Sequence, residues 1–412
     1  MISNNGKTIS KAGFPLCTMF VVSAISIFFN PYETFGSTYT NIIIIIVYLA
    51  CLLYSLIIAK SSISKYHIYL FILLSIILFL NFRNALIMSF VGLLSLTVIL
   101  KKEVFFPINL VNLVHSFITL YFVYDFLEKG ILFPIGELYV LPGNSDPNFS
   151  SYGLLLYFLF SVRIKSLLGV LFAVYVGLLS ISRAYALSIF SFLILFVILS
   201  FFSKNIFLDK IFRKLGNTFS FLPDRKRLLL FYIVLFANLS IFAYGSTLSL
   251  ALEGDSVSRS DATRLYSVGS GDDDRFIANQ AYVEYFRKNP DVLLWGDPSL
   301  SLDAKYTRGL TVPHNGLIFA TILLGFPFLT IYLMILSSIL FRFDYYPNLA
   351  FAITPFIFSL FLHVGFSINH NIFVFCLISM ANNSHKQFWL RNIPFGSFIF
   401  SLLPRNGTGS LK

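Results

Sequence analysis

Arg183, Arg275 and His314 are the residues whose type and position best suit polar chemistry in this chain. Arg183 and His314 stand at the edges of apolar runs, and Arg275 stands within a polar stretch. Arg183 ends Ser180-Ile181-Ser182-Arg183 between two such runs, Arg275 follows Asp272-Asp273-Asp274, and His314 lies in Pro313-His314-Asn315 where a polar stretch gives way to another apolar run. A guanidinium is a planar fork that grips phosphate oxygens in pairs. An imidazole takes or gives a proton near neutral pH. Arg183 has a plainer reading, in which its head snorkels to lipid headgroups. His314 also has one, as part of a helix start. Arg259 and Arg264 are second-rank partners for an anion, while Arg287, Lys288, Lys305 and Arg308 fit the surface of a solvated loop. His370, in Asn369-His370-Asn371, is a weaker proton-handling candidate, and His115 and His363 fall within apolar runs where packing suffices.

Other chemistries find little footing. No HExxH, GxGxxG or phosphate-cradling glycine loop occurs, so no nucleotide site is expected. The acidic run Asp272-Asp273-Asp274 lacks the spaced continuation of a calcium loop, and no metal or other cofactor is expected. Cys17, Cys51 and Cys376 all lie in apolar runs and outline no disulfide framework.

The elements that must hold these residues are apolar helices. Hydrophobic residues make up 57% of the 412-residue chain and charged residues 12%, against about 25% charged in a soluble domain. Apolar runs near 14–30, 41–59, 67–82, 84–100, 105–124, 150–162, 166–181, 184–202, 228–248, 315–341, 348–366 and 371–382 predict about twelve membrane spans in a single all-α transmembrane domain over 1–412. The boundary between the third and fourth rests only on Asn81-Phe82-Arg83-Asn84.

Charge sets the orientation. With the N-terminus in the cytoplasm, the inner side collects 20 Lys and Arg against 4 Asp and Glu, and the outer side 10 against 15. This satisfies the positive-inside rule and places both termini and the basic 203–227 loop in the cytoplasm. The net charge of +11 is therefore an orientation signal, and no nucleic-acid partner is expected. Two longer outer loops remain. The 125–149 loop is acidic, and the 249–314 loop is the most polar stretch of the chain. Within the latter, Ile277 to Lys288 predicts an amphipathic helix through Ala281, Val283, Tyr285 and Phe286, stopped by Asn289-Pro290-Asp291.

The order of these segments carries a resemblance. Asp146-Pro147-Asn148 precedes a span; Leu178-Leu179-Ser180-Ile181-Ser182-Arg183-Ala184 follows two spans later. Asp274-Arg275 then opens a helix that ends at Lys288-Asn289-Pro290, with Trp295-Gly296 beyond it, and Pro313-His314-Asn315-Gly316-Leu317 leads into a span containing Gly325. The set resembles the O-antigen ligase and polymerase family of bacterial envelopes over roughly 125–340. Three positions depart from that pattern: Tyr185 replaces a glycine, Trp295-Gly296-Asp297-Pro298 shortens a glycine-rich run, and Leu323-Leu324-Gly325 stands where a glutamate is usual.

The resemblance implies a GT-C-like glycosyltransferase of the bacterial inner membrane, acting at the periplasmic face without metal. Its donor would be an oligosaccharide on undecaprenyl pyrophosphate, whose sugar is attacked by an acceptor hydroxyl as the lipid diphosphate leaves. It implies Arg183 and Arg275 as diphosphate binders and His314 as the acceptor-activating base or acceptor-positioning group. Arg259, Arg264, Asp146, Asn148 and Asn315 would serve substrate binding. Its partners would be the lipid-linked oligosaccharide, the bilayer and a chain-length regulator protein. Repeat-unit polymerase and ligase share the motifs. The Ile-, Phe-, Tyr- and Asn-rich composition, resembling that of surface-glycan clusters, favours the polymerase. A transporter is disfavoured, since the spans hold almost no Asp, Glu, Lys or Arg and the polar mass sits in one loop.

Overall fold

The computed structural model describes residues 13–31, 35–58, 106–128, 147–179, 182–204, 274–297, 315–327, 348–359 and 367–382, with a few single positions between them. The described residues are helical, with no strand among them. The helices are α1 (Gly13–Phe28), α2 (Ser37–Ile57), α3 (Ile108–Glu128), α4 (Pro147–Ile164), α5 (Leu167–Leu179), α6 (Arg183–Lys204), α7 (Asp274–Lys288), α8 (Pro290–Trp295), α9 (Gly316–Leu324), α10 (Asn348–Ser359) and α11 (Ile368–Asn382). Two of them, over Thr38–Ile57 and Ile108–Glu128, are long and apolar enough to cross a membrane. The expected spans at 67–82, 84–100 and 228–248, and the 203–227 loop beyond Lys204, lie wholly or almost wholly outside the described residues.

At the centre is α4, buried on all sides from Ser150 to Ser161. It packs against α3, α5, α6, α10 and α11, while α1 packs against α2, α3 and α11. A helix that is apolar all round belongs in such a position. The peripheral helices bury one side only. Along α2, Ile42, Ile43, Ile46, Leu49, Leu53 and Ile57 are exposed while Ile44, Tyr48, Cys51 and Leu52 pack inward. Aromatic rings cement the interior: Phe20 stacks on Phe373 at 5.5 Å, and Phe28 meets Phe122 and Phe373 edge-on. Such pairs contribute about 0.5–1.5 kcal/mol each beyond the area they bury.

Buried polar groups inside this core are joined to each other. His115 on α3 lies 2.9 Å through Nε2 from Ser161 of α4 and 3.3 Å through Nδ1 from Thr119, and it stacks on Tyr157. This is a packing role, as expected for that position. Tyr48 on α2 donates to Asn369 Oδ1 on α11 at 2.6 Å, and Asn369 donates to Ser26 of α1 at 2.8 Å. Each bond satisfies a group that would otherwise be stranded away from water.

Cross-helix contacts fix the register. Tyr152 of α4 meets His370 of α11 edge-on at 4.9 Å, and eleven residues further along α4 Arg163 donates to the Leu377 and Ile378 carbonyls of α11. α4 and α11 therefore run the same way. Tyr152 also meets Phe358, while the Arg163 guanidinium lies 4.9 Å over Phe351, so α10 runs oppositely. The tight α4–α5 and α5–α6 connections return α6 to the direction of α4, and Phe158 packs on Phe192 at 5.6 Å.

Three expectations need correcting. The 125–149 loop begins later than its charge suggests, because α3 continues to Glu128 and buries Asp125. The amphipathic helix starts at Asp274; of its expected inward residues Phe286 is buried and Val283 packs beside it, while Ala278, Asn279 and Tyr282 are buried in place of Ala281 and Tyr285. The run 315–341 is not one uninterrupted helix: α9 ends at Leu324, and Gly325 takes φ 72°.

Candidate functional site

α7, from the middle of the 249–314 segment, is folded onto α9, the helix that follows that segment. α7 and α9 pack through a small apolar cluster of Tyr282, Phe286, Ile318 and Ile322, joined by Val283, Val292 and Leu293. Helical spacing explains which positions meet. Residues 275, 279, 282 and 286 fall on one stripe of α7, at intervals of four, three and four. α9 has two working faces: Ile318 and Ile322 join this cluster, while Leu317 and Ala320 join the main core. The loop helices are thereby seated on the bundle through α9.

α8 locks the arrangement. Pro290 begins it, where its missing N–H costs nothing. The chain then passes Gly296, at φ 76°, and the Asp297 N–H donates to the Ile322 carbonyl at 2.8 Å. A side chain on Gly296 would meet Ile322 O at 2.7 Å and Gly325 N at 2.8 Å, and one on Gly325 would run into the backbone of Leu294 and Trp295. Two glycines at positive φ thus let two backbones touch. This is the physical content of Trp295-Gly296 and of the glycine after Leu323-Leu324.

Asn315 caps α9. Its Oδ1 accepts from the N–H groups of Leu317 at 2.9 Å and Ile318 at 3.1 Å, and the residue is 2% exposed. The carbonyl half of this predicted substrate contact is therefore engaged in holding the helix start. His314, the residue before it, lies outside the described residues, as do Asp146, Arg259 and Arg264.

Arg183 is the first residue of α6, following Ser182, whose Oγ accepts weakly from the Tyr185 N–H at 3.4 Å. Tyr185 is wholly buried, and its hydroxyl donates to the Ala173 carbonyl of α5. Its ring occupies the space left open by Gly177. The tyrosine found where the resemblance expects glycine is thus a bolt between α5 and α6 that fixes where Arg183 begins. The backbone of Asn148, Arg183 and Arg275 is helical, and their side chains fall outside the described residues.

Register places three of these segments at one end of the bundle. From the Phe158–Phe192 contact, nine residues back along the parallel helices α4 and α6 lead to 149 and 183. The Tyr152–His370 contact puts the start of α11 at the same depth. At 1.5 Å per residue, Asn148, Arg183 and His370 lie within about one helical turn of a common level. Arg163 marks the opposite end. His370 is half-buried, so it faces both Tyr152 and the surface.

One feature of the site was missed at the level of motifs. Asn279, on the stripe with Arg275, is 3% exposed, and its Oδ1 has no hydrogen-bond partner. Leaving a buried carbonyl oxygen unmade costs about 1–3 kcal/mol. The only signal of it in the chain is its four-residue spacing from Arg275. Among the described residues no three His, Cys, Asp or Glu side chains gather as a metal would need. Compared with protein-family models, with curated proteins and with solved structures, the chain finds no match.

Proposed function

We propose that the chain is a multi-pass enzyme of the bacterial inner membrane that polymerises lipid-linked oligosaccharide repeat units at the periplasmic face. About twelve spans, with both termini in the cytoplasm, carry the 249–314 loop outside. What supports this reading is the docking of α7 on α9, which sets the stripe of Arg275 against the helix that opens beside His314. In the reaction, the acceptor hydroxyl attacks the anomeric carbon of the donor sugar and the lipid diphosphate departs. Arg183 and Arg275 stabilise the charge that develops on the diphosphate, and His314 takes the proton from the attacking hydroxyl. Asn315 holds the start of α9 and hence the backbone next to His314. Arg259, Arg264, Asp146 and Asn148 line the sugar and phosphate path. The exposed apolar faces of α2, α3, α5 and α6 meet lipid in this reading.

The test is reconstitution. Purified protein in detergent, given polyprenyl-diphosphate-linked repeat units from the native host, should lengthen them in the presence of EDTA. Full activity in Arg183→Ala, Arg275→Ala and His314→Ala together would remove the mechanism. Deletion in the host separates polymerase from ligase. Loss of the polymerase leaves lipid A-core with a single repeat, whereas loss of a ligase leaves bare core.

A further inference from the structure

Arg275 and Asn279 stand on successive turns of α7 at the same helical register as buried Tyr282 and Phe286, and their chemistries are complementary. A guanidinium only donates hydrogen bonds, and the ionised oxygens of a diphosphate only accept them. The Asn279 Oδ1 is the reverse: an acceptor, sequestered from water, with no donor supplied by the protein. A phosphate group has nothing to give it. A sugar hydroxyl, or the N–H of an acetamido substituent, does. Side chains four apart on a helix are separated by about 6 Å, which is the distance from a diphosphate to the ring substituents of the sugar it carries.

We propose that Asn279 is a specificity-determining residue that reads the sugar attached to the diphosphate, its Oδ1 accepting from a hydroxyl or acetamido N–H of the donor's first sugar. The inference rests on the assignment of Arg275 to the diphosphate. It gives the stripe a division of labour, with one residue gripping the leaving group and the next recognising what is attached to it. It also accounts for a buried amide in a helix whose other inward positions on that stripe, Tyr282 and Phe286, are aromatic. Leucine would fill the same volume without leaving an unsatisfied oxygen.

The experiment compares two probes on the full-length protein in nanodiscs: undecaprenyl diphosphate without sugar, and the polyprenyl-diphosphate-linked oligosaccharide extracted from the native host. Asn279→Leu is expected to bind the bare lipid as wild type does and to lose about tenfold in affinity for the sugar-bearing lipid, as befits one neutral hydrogen bond. Its thermal midpoint should equal or exceed that of wild type, because the orphaned oxygen is gone. Asn279→Ala carries the same comparison if the leucine variant does not fold. Equal loss for both lipids, or no loss for either, overturns the inference. Wild type that binds both lipids equally well also overturns it and leaves the function reading standing, whereas wild type that binds neither removes both.

Discussion

At the scale of the residue, arginine position decides role. Arg163 and Arg183 both lie at helix ends, but Arg163 is spent on two carbonyls of α11 and on the face of Phe351. Arg163→Ala should therefore act on stability. It removes charge-assisted bonds of about 1.5–3 kcal/mol each, read as a lowered midpoint of thermal unfolding in detergent, while the turnover of the protein that remains folded stays near wild type. Under the proposed reaction, Arg183→Ala and Arg275→Ala should do the opposite, lowering turnover by about 100-fold or more with little change in midpoint, since each would remove charge stabilisation needed only as the diphosphate departs. Asn315 gives a third pattern. Asn315→Ala should cost about 1 kcal/mol through loss of a helix cap, and Asn315→Ser should restore most of it. A failure of serine to rescue would mean that the amide contacts substrate as well. Tyr282, outside the spans, has its phenol pushed above the ordinary value, chiefly by burial, so it remains neutral and shows no titration in the physiological range.

Elements were legible where hydrophobicity alone defines them. Apolar runs near 14–30, 41–59 and 184–202 correspond to α1, α2 and α6, because about 20 apolar residues specify a long helix without help from neighbours. The break after Leu324 was not legible. Nothing local distinguishes Gly325 from a glycine inside a span, and the reason for its conformation lies thirty residues away in Leu294, Trp295 and Gly296. The inward face of α7 was legible at Val283 and Phe286 and not elsewhere, for a related reason: Ala281 and Tyr285 are as apolar as Ala278 and Tyr282, and only the position of α9 chooses between them. The ordering of the candidate site residues along the chain was legible, and the orphaned oxygen of Asn279 was not, since it is defined by a missing partner. The two glycines yield a prediction for the elements they join. Gly325→Ala puts a side chain at φ 72° and ψ 155°, a region nearly reserved for glycine, which costs about 1–3 kcal/mol, together with a clash against backbone. It should loosen α8 from α9, seen as faster proteolysis within 289–300 in spheroplasts, where the helical spans stay protected.

At the scale of the whole molecule, topology is the quantity to measure. Cys17, Cys51 and Cys376 are all buried, so cysteines introduced elsewhere can be read against a quiet background. Arg287→Cys, on the exposed side of α7, should react with a membrane-impermeant maleimide in intact spheroplasts. Lys210→Cys should react only after the membrane is opened. The reverse pattern would turn the chain over and move the proposed site to the cytoplasm. The same experiment asks whether the charge asymmetry, 20 basic residues against 4 acidic on the inner side, orients the chain as the positive-inside rule requires.

The bonds from Tyr48 and Ser26 to Asn369 bear on how the protein is made. They join the first two described helices to the last described one, across 321 and 343 residues of chain. Until α11 arrives, those hydroxyls lack their amide and α1 has only part of its packing. In the proposed multi-pass reading, biosynthesis therefore leaves an unfinished bundle waiting in the bilayer for most of translation, exposed to quality-control proteases. A stop codon anywhere before Asn369 would yield a chain that is cleared rather than a shorter protein that persists.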